Sequence, residues 1–434
     1  MTRALFISIV LITASLFSTA QDTVVLSKAF ILKDAGAKNL LVKIAEQSYL
    51  SAEAGYNQTK AIFLPNVNLS YTAITTTNPL MAFGSKINQE GVTMADFNPA
   101  LINDPGNVQN FNTKLEVQQP LLNYDALHQR KAARAQADAM KLKMERSAEY
   151  VLFEIDQSYM QLQMAYAVVE VLTKAKQTAL ANQKLVTDYY NNGLLQKSEL
   201  LNVQVRVTEI DNQLLYARSN ISNASDYIHF LLNEPADNVI KPADTLSYNG
   251  VPGFSVVLND SRKDIAAYKK ALEAHNNMAL SAQKKSLPRL NAFGSYELND
   301  KRLYNFRGEG YLLGLQLSWN VFDGLKTKGA VQQAKANYRQ AEQELAQYRS
   351  QSQLEINKTN RQLTDAAGKI DLAKQALEQS QEAYRIRNNR FGQGLEKTTD
   401  LLNAEMQVTQ KQLAYHQAIL EYNITSSYLH FLNK

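Results

Sequence analysis

The chain has no cysteine and a single tryptophan in 434 residues. Without cysteine there is no disulfide framework, no thiolate metal site and no thiol after a leader to carry a lipid. Beyond Ala20 no stretch approaches the roughly 20 apolar residues that a membrane-spanning helix needs. Charge of one sign is not concentrated either: 46 Lys and Arg are interspersed with 41 Asp and Glu, for a net +5. This excludes the basic stripe of a nucleic-acid binder and the charge block of a disordered tail. Catalytic signatures are equally missing, since neither HExxH, nor GxSxG, nor a phosphate-cradling glycine loop occurs. Gly308-Glu309-Gly310 and Gly392-Gln393-Gly394 read as turns, and His229 and His430 as packing or capping residues, because no second ligand stands at metal spacing. No enzyme, cofactor or metal is expected.

What is present begins with a secretory leader. Met1-Thr2-Arg3 precedes an apolar run from Ala4 to Phe17 and the small residues Ser18-Thr19-Ala20, a basic start, a short apolar core and a cleavage site after Ala20. The expected mature protein is exported, not lipidated, and free of helical membrane spans.

The mature chain is a tandem repeat. Setting Gly193 on Gly394 aligns the halves at a shift of 201 residues. Leu200-Leu201-Asn202 then falls on Leu401-Leu402-Asn403, and Tyr227-Ile228-His229-Phe230-Leu231 on Tyr428-Leu429-His430-Phe431-Leu432. One supersecondary unit used twice is the physical reading of such a period. The first repeat covers 21–232 and the second 262–434, each running helix, strand, loop, strand, long helix, tight break, helix. They are joined by an irregular segment at 233–261, where Pro235, Pro242, Gly250, Pro252 and Gly253 cluster.

Within the first repeat a helix is expected from Asn39 to Phe63, ended by Leu64-Pro65. The period then changes from 3.6 to 2, giving strands at 66–74 and 111–119. Between them Thr75 to Asn110 reads as one large polar loop, with Asn78-Pro79, Asn98-Pro99 and Asp104-Pro105-Gly106 as turn chemistry. The second repeat places strands at 289–298 and 311–320 around a shorter loop. From Asp125 to Asn192 about 68 residues of uninterrupted helix, rich in Ala, Gln, Lys and Leu, amount to on the order of 100 Å, too long for one globular core. Each long helix is expected to pack against the helix returning after its break, at 193 and 394.

Four strands of about ten residues, each with one apolar face, cannot close a barrel within one chain. Ten alternating residues is also the length that spans a bilayer when tilted in a closed barrel. Two chains would give eight strands and a filled interior, and three give twelve and an aqueous lumen. Asn68, Asn112, Lys114, Glu116, Asn291, Glu297 and Gln316 on the polar faces suit the wet interior and favour three. A soluble sandwich is disfavoured by the leader, and a soluble periplasmic coiled-coil adaptor, the alternative reading, has no need of alternating strands.

Phe63-Leu64-Pro65-Asn66-Val67 and its partner Ser286-Leu287-Pro288-Arg289-Leu290 open the strands. Gln119-Pro120-Leu121-Leu122 and Ser318-Trp319-Asn320-Val321-Phe322-Asp323-Gly324 close them, and Gly193-Leu194 and Gly394-Leu395 break the helices. In order, duplication and spacing the chain resembles the TolC-like outer-membrane efflux proteins over essentially all of its mature length. The resemblance implies an α+β membrane fold, in which a trimeric 12-stranded β-barrel with four strands per chain continues into a long α-helical coiled-coil barrel reaching through the periplasm. It implies a homotrimer in outer-membrane lipid, acting as a passive channel for efflux or type I secretion when docked to a periplasmic adaptor and an inner-membrane pump. By position it makes Gly193, Leu194, Gly394 and Leu395 the adaptor-contacting tips, and Glu199, Phe391 and Asp400 residues of the periplasmic entrance. Two positions depart from the family pattern: Glu396 stands where a basic gate residue is expected, and Asn403 where a further acid is.

Overall fold

The computed structural model describes residues 23–248, 250 and 257–434; the expected leader and part of the joint lie outside them. The described residues divide into two compact units that cut across the repeats, one formed by residues 23–42, 148–248 and 356–433, the other by residues 43–147 and 257–355. Each repeat contributes to both, because its long helix belongs to both. Among the described residues no helix is long and apolar enough to cross a membrane.

The second unit is built on one antiparallel sheet in the order β2(Asn66–Thr76), β3(Val108–Leu122), β5(Arg289–Asp300), β6(Gly308–Ser318). All strands run past the lengths expected of them except β6, which starts earlier and stops at Ser318. The register sorts the side chains by face. Leu69, Leu115, Tyr296 and Tyr311 form one row across the sheet and Val67, Val117, Gly294 and Leu313 the next in phase. The opposite face carries Ser70, Lys114, Glu297 and Gly310 in one row and Thr72, Asn112, Asn299 and Gly308 in another. Lys114 Nζ lies 3.2 Å from Glu297 Oε1, and Asn112 Nδ2 donates to Asn299 Oδ1 at 3.0 Å. The apolar face is bare within the chain: Leu69, Leu315 and Leu317 are each 69% exposed. A contiguous apolar face of this extent needs a covering, from lipid or protein.

One end of the sheet receives all the helical connections. The helix α2(Leu40–Gln58) and a 3-10 turn, Thr59–Phe63, enter β2, α7(Lys263–Lys284) enters β5, β3 passes into α5(Tyr124–Asn191), and β6 into α8(Lys326–Gly392). The opposite end holds the two strand-to-strand connections. The first is not the uniform loop expected from 75 to 110, for it contains α3(Pro79–Asn88), a 3-10 turn at Met94–Phe97 and α4(Pro99–Asn103). The Asn-Pro pairs are helix starts: Asn78 Oδ1 accepts from the Leu80 and Met81 amides at 3.1 Å, and Asn98 Oδ1 from the Ala100 amide at 3.0 Å, with proline at the first helical position. An asparagine cap satisfies amides that have no partner in the helix, and proline at that place gives up nothing.

The first unit is helical. It contains α1(Lys28–Lys38), α5 from Ala148 onward, α6(Lys197–Leu232), α8 from Ile356 onward and α9(Thr398–Asn433). The buried seam of α6 runs Val203, Arg206, Ile210, Leu214, Ala217, Ile221, Ser225, Ile228, Leu232, with His229 and Leu231 also buried beside its end. These steps of 3, 4 and 4 repeat every 11 residues, about 3.67 per turn, so the seam stays on one side of a nearly unsupercoiled helix. Against it α5 sets Val151, Ile155, Tyr159 and Leu162, and farther along Leu172, Ala175 and Ala179. The joint expected to be irregular holds a strand, β4(Val239–Pro242), paired in parallel with β1(Thr23–Leu26). Ile240 and Ile31 fill the α5–α6 core beneath that pair, and the His229 ring meets the Asn238 carbonyl at 3.1 Å.

Candidate functional site

The ends of the two hairpins in the helical unit are built alike. After α5 the amide of Gly193 donates to the Tyr190 carbonyl and that of Leu194 to the Tyr189 carbonyl, both at 2.9 Å; after α8, Gly394 and Leu395 repeat these bonds to Phe391 and Arg390 at 2.9 Å. Both glycines have φ of 74°. This is the Schellman ending, in which the residue after the cap turns left-handed and the last carbonyls are capped by backbone amides. It leaves the next side chain outside the helix, and Leu194 and Leu395 are 69% and 62% exposed.

Glu199 and Asp400 sit in the first turns of α6 and α9, where a carboxylate meets the positive end of the helix dipole. Both are half-buried. Glu199 Oε2 is enclosed without a hydrogen-bond partner among the described residues. Phe391 is different: only 2% exposed, it packs with Val186, Val203, Leu401 and Leu402 and lies 5.8 Å from the Tyr189 ring. Its side chain is therefore withdrawn from solvent, and any part it takes in an entrance is played through packing. Tyr189 Oη donates to the Gly392 carbonyl at 2.9 Å, joining the two hairpin ends.

Glu396, the acid in the place of a base, is clamped from α8. Arg387 Nη1 donates to its Oε1 at 2.7 Å and Arg390 Nε to its Oε2 at 2.9 Å. Its side chain is 12% exposed. The two arginines are one helical turn apart at the negative end of α8, so they converge on an acid just beyond the break. The sequence signal available for this clamp is the i, i+3 spacing of Arg387 and Arg390 just before the break.

Deeper along the hairpins lies a buried polar tie that the sequence reading missed. Arg206 Nε and Nη2 donate to Glu405 Oε1 at 3.3 and 3.4 Å, Asn182 Nδ2 donates to Glu405 Oε2 at 3.3 Å, and Asn182 and the Tyr384 hydroxyl are 3.4 Å apart. One residue comes from each of α5, α6, α8 and α9. Burial pushes the Glu405 carboxyl above its usual range, against the pull of Arg206 and Asn182, and burial also raises the Tyr384 hydroxyl. The signal was there: Arg206 occupies a seam position between Val203 and Ile210.

No group of three His, Cys, Asp or Glu among the described residues is arranged to hold a metal ion. The hairpin ends present exposed leucines after left-handed glycines and acids at helix starts.

Solved structures share this fold. The outer membrane protein VceC of Vibrio cholerae superposes with a TM-score of 0.78 at 18% identity, over 94% of this chain and 96% of that one. CusC superposes with a TM-score of 0.81 at 15% identity, over 96% and 95%. In sequence, the alkaline protease secretion protein AprF of Pseudomonas aeruginosa is 21% identical over 304 residues, which are 67% of this chain and 63% of that protein's length. The profile of the outer membrane efflux proteins matches residues 31–234 and 257–432, most of both repeats, and the chain belongs to the outer membrane efflux protein family.

Proposed function

We propose that three copies of this chain form a passive conduit through the outer membrane, carrying small molecules or proteins outward from an inner-membrane pump through a periplasmic adaptor. The observation that carries this reading is the sheet: four strands in register, polar on one face, apolar and bare on the other, with β2 and β6 each lacking a second neighbour among the described residues. Joining β6 of one copy to β2 of the next satisfies both edges, and twelve strands leave room for a wet lumen lined by the polar rows. Lipid then covers the apolar face.

The hairpin ends are the periplasmic tips, with Gly193-Leu194 and Gly394-Leu395 facing the adaptor and Glu199 and Asp400 at the entrance. Threefold repetition turns one acid into a ring, which favours cations at a constriction. Nothing in this role calls for catalysis. AprF, named for protease secretion, and CusC, titled for transmembrane channel formation, support the conduit reading without fixing the cargo.

The test is the mass of the full-length protein in detergent, with bound detergent subtracted. Three chains per particle with a detergent belt is the expected result. Two chains would imply a filled eight-stranded barrel, and a detergent-free monomer would replace the channel by a soluble periplasmic interaction protein.

A further inference from the structure

Resting on the reading of the sheet as part of an outer-membrane barrel, its loop end holds a feature that conduction does not use. On the apolar face, at the end away from the helices, Tyr71 stacks on Phe111 with ring centroids 6.5 Å apart and on Tyr304 of the β5–β6 loop at 5.6 Å. The Tyr71 hydroxyl also accepts from the Tyr304 amide at 3.4 Å. Tyr304 has φ of 57°, a left-handed conformation that a tyrosine holds only where its surroundings fix it. The loop is thus pinned against the lipid-facing side.

At the other end of the same face Trp319 is 62% exposed, its indole Nε1 donating to the Ser286 carbonyl at 3.0 Å. Glu309 lies in the row of Tyr71, Thr113 and Leu298, and from it to Trp319 is ten residues, about 34 Å along a strand and about 25 Å along the normal of a tilted barrel, the height of a lipid-facing apolar band between two aromatic girdles. The Tyr71 cluster therefore marks the outer interface.

Just beyond it the loop reads Lys301-Arg302-Leu303-Tyr304-Asn305-Phe306-Arg307. Lys301, Arg302 and Arg307 border a cleft of about 700 Å³ whose other wall includes Lys86 and Gln109. The acids of the cleft are already engaged: Asp96 accepts from Lys86 Nζ at 2.8 Å, and Asp300 accepts from the Arg302 amide at 2.7 Å and from Asn305 Nδ2 at 3.0 Å. Lys86 is spoken for, whereas no carboxylate among the described residues pairs with the side chains of Lys301, Arg302 or Arg307. Leu303 and Phe306 between them are 55% and 52% exposed.

We propose that this cleft binds the phosphorylated headgroup of an outer-leaflet glycolipid, the three free cations taking its phosphates while Leu303 and Phe306 reach toward the acyl boundary. Three exposed, unpaired cations at headgroup height, beside an aromatic girdle, are complementary to an anion that is itself anchored in the bilayer. A barrel of three chains has three such sites.

Native mass spectrometry of the full-length detergent-purified protein tests this, with bisphosphorylated lipid A, phosphatidylcholine and sodium phosphate as separate probes. The wild type retains lipid A. Lys301→Ala/Arg302→Ala/Arg307→Ala weakens retention on the order of a hundredfold, from about fivefold per cation. The charge-keeping variant Lys301→Arg/Arg302→Lys/Arg307→Lys retains it, and millimolar phosphate does not displace it. Equal retention by the alanine variant, or equal binding of phosphatidylcholine, overturns the proposal in favour of the apolar belt alone. Displacement by phosphate overturns it in favour of a soluble-anion site. The same spectra count chains, so an intact oligomer without lipid A refutes only this inference, and a detergent-free monomer refutes the barrel reading beneath it.

Discussion

Replacing Arg206 by Met tests whether the buried tie holds the four helices together. Glu405 is 3% exposed, and the substitution leaves its carboxylate with the Asn182 amide as its remaining side-chain donor. Breaking one side of a buried ion pair costs about 3–5 kcal/mol, because the surviving charge has lost both water and partner. At about 2 °C per kcal/mol for a large cooperative unit, the helical melt should fall by roughly 6–10 °C. The assay is the 222 nm circular dichroism of the detergent-solubilised oligomer at one fixed scan rate, since such unfolding is read kinetically. Arg206→Met/Glu405→Leu should recover most of the loss, because an apolar pair of similar volume removes the stranded charge. A single variant melting within about 1 °C of wild type, or a double variant no better than the single, would refute the reasoning.

The same carboxyl gives a pH dependence. Its folded pKa is raised by burial, so its contribution is fully present below the ordinary glutamate value and is lost as pH rises through the folded one; the melting temperature of wild type minus that of Glu405→Gln should decline as pH climbs above about 4.5. At the tips, Gly193→Ala and Gly394→Ala should each cost about 1–2 kcal/mol through the positive φ alone, since a Cβ at either place meets nothing within 4 Å; the corresponding asparagine variants should melt closer to wild type. Glu199→Ala/Asp400→Ala should lower the cation preference of the channel in planar bilayers, and unchanged ion selectivity would remove these acids from the entrance.

Much of this was legible because the signals are local. Period 2 in Val67-Asn68-Leu69-Ser70-Tyr71, Leu-Pro at the helix exits, and a glycine at 193 repeated at 394 are each decided by neighbouring residues and backbone geometry. Asn78-Pro79 was misread because a turn and a helix cap use the same two residues, and only the backbone that follows tells them apart. The strand at Val239–Pro242 is four residues long and gains its partner more than 200 positions away, at Thr23–Leu26, which no local pattern announces.

The sequence by itself determined the duplication, the four amphipathic strands, the long helices and their breaks, and thereby the need for further chains to close the sheet. Only the tertiary structure decided which charges meet. Arg206 with Glu405, Arg387 with Glu396, and the burial of Phe391 depend on the rotational setting of four helices about their axes, a quantity fixed by the summed packing of their seams and carried by no single stretch of chain.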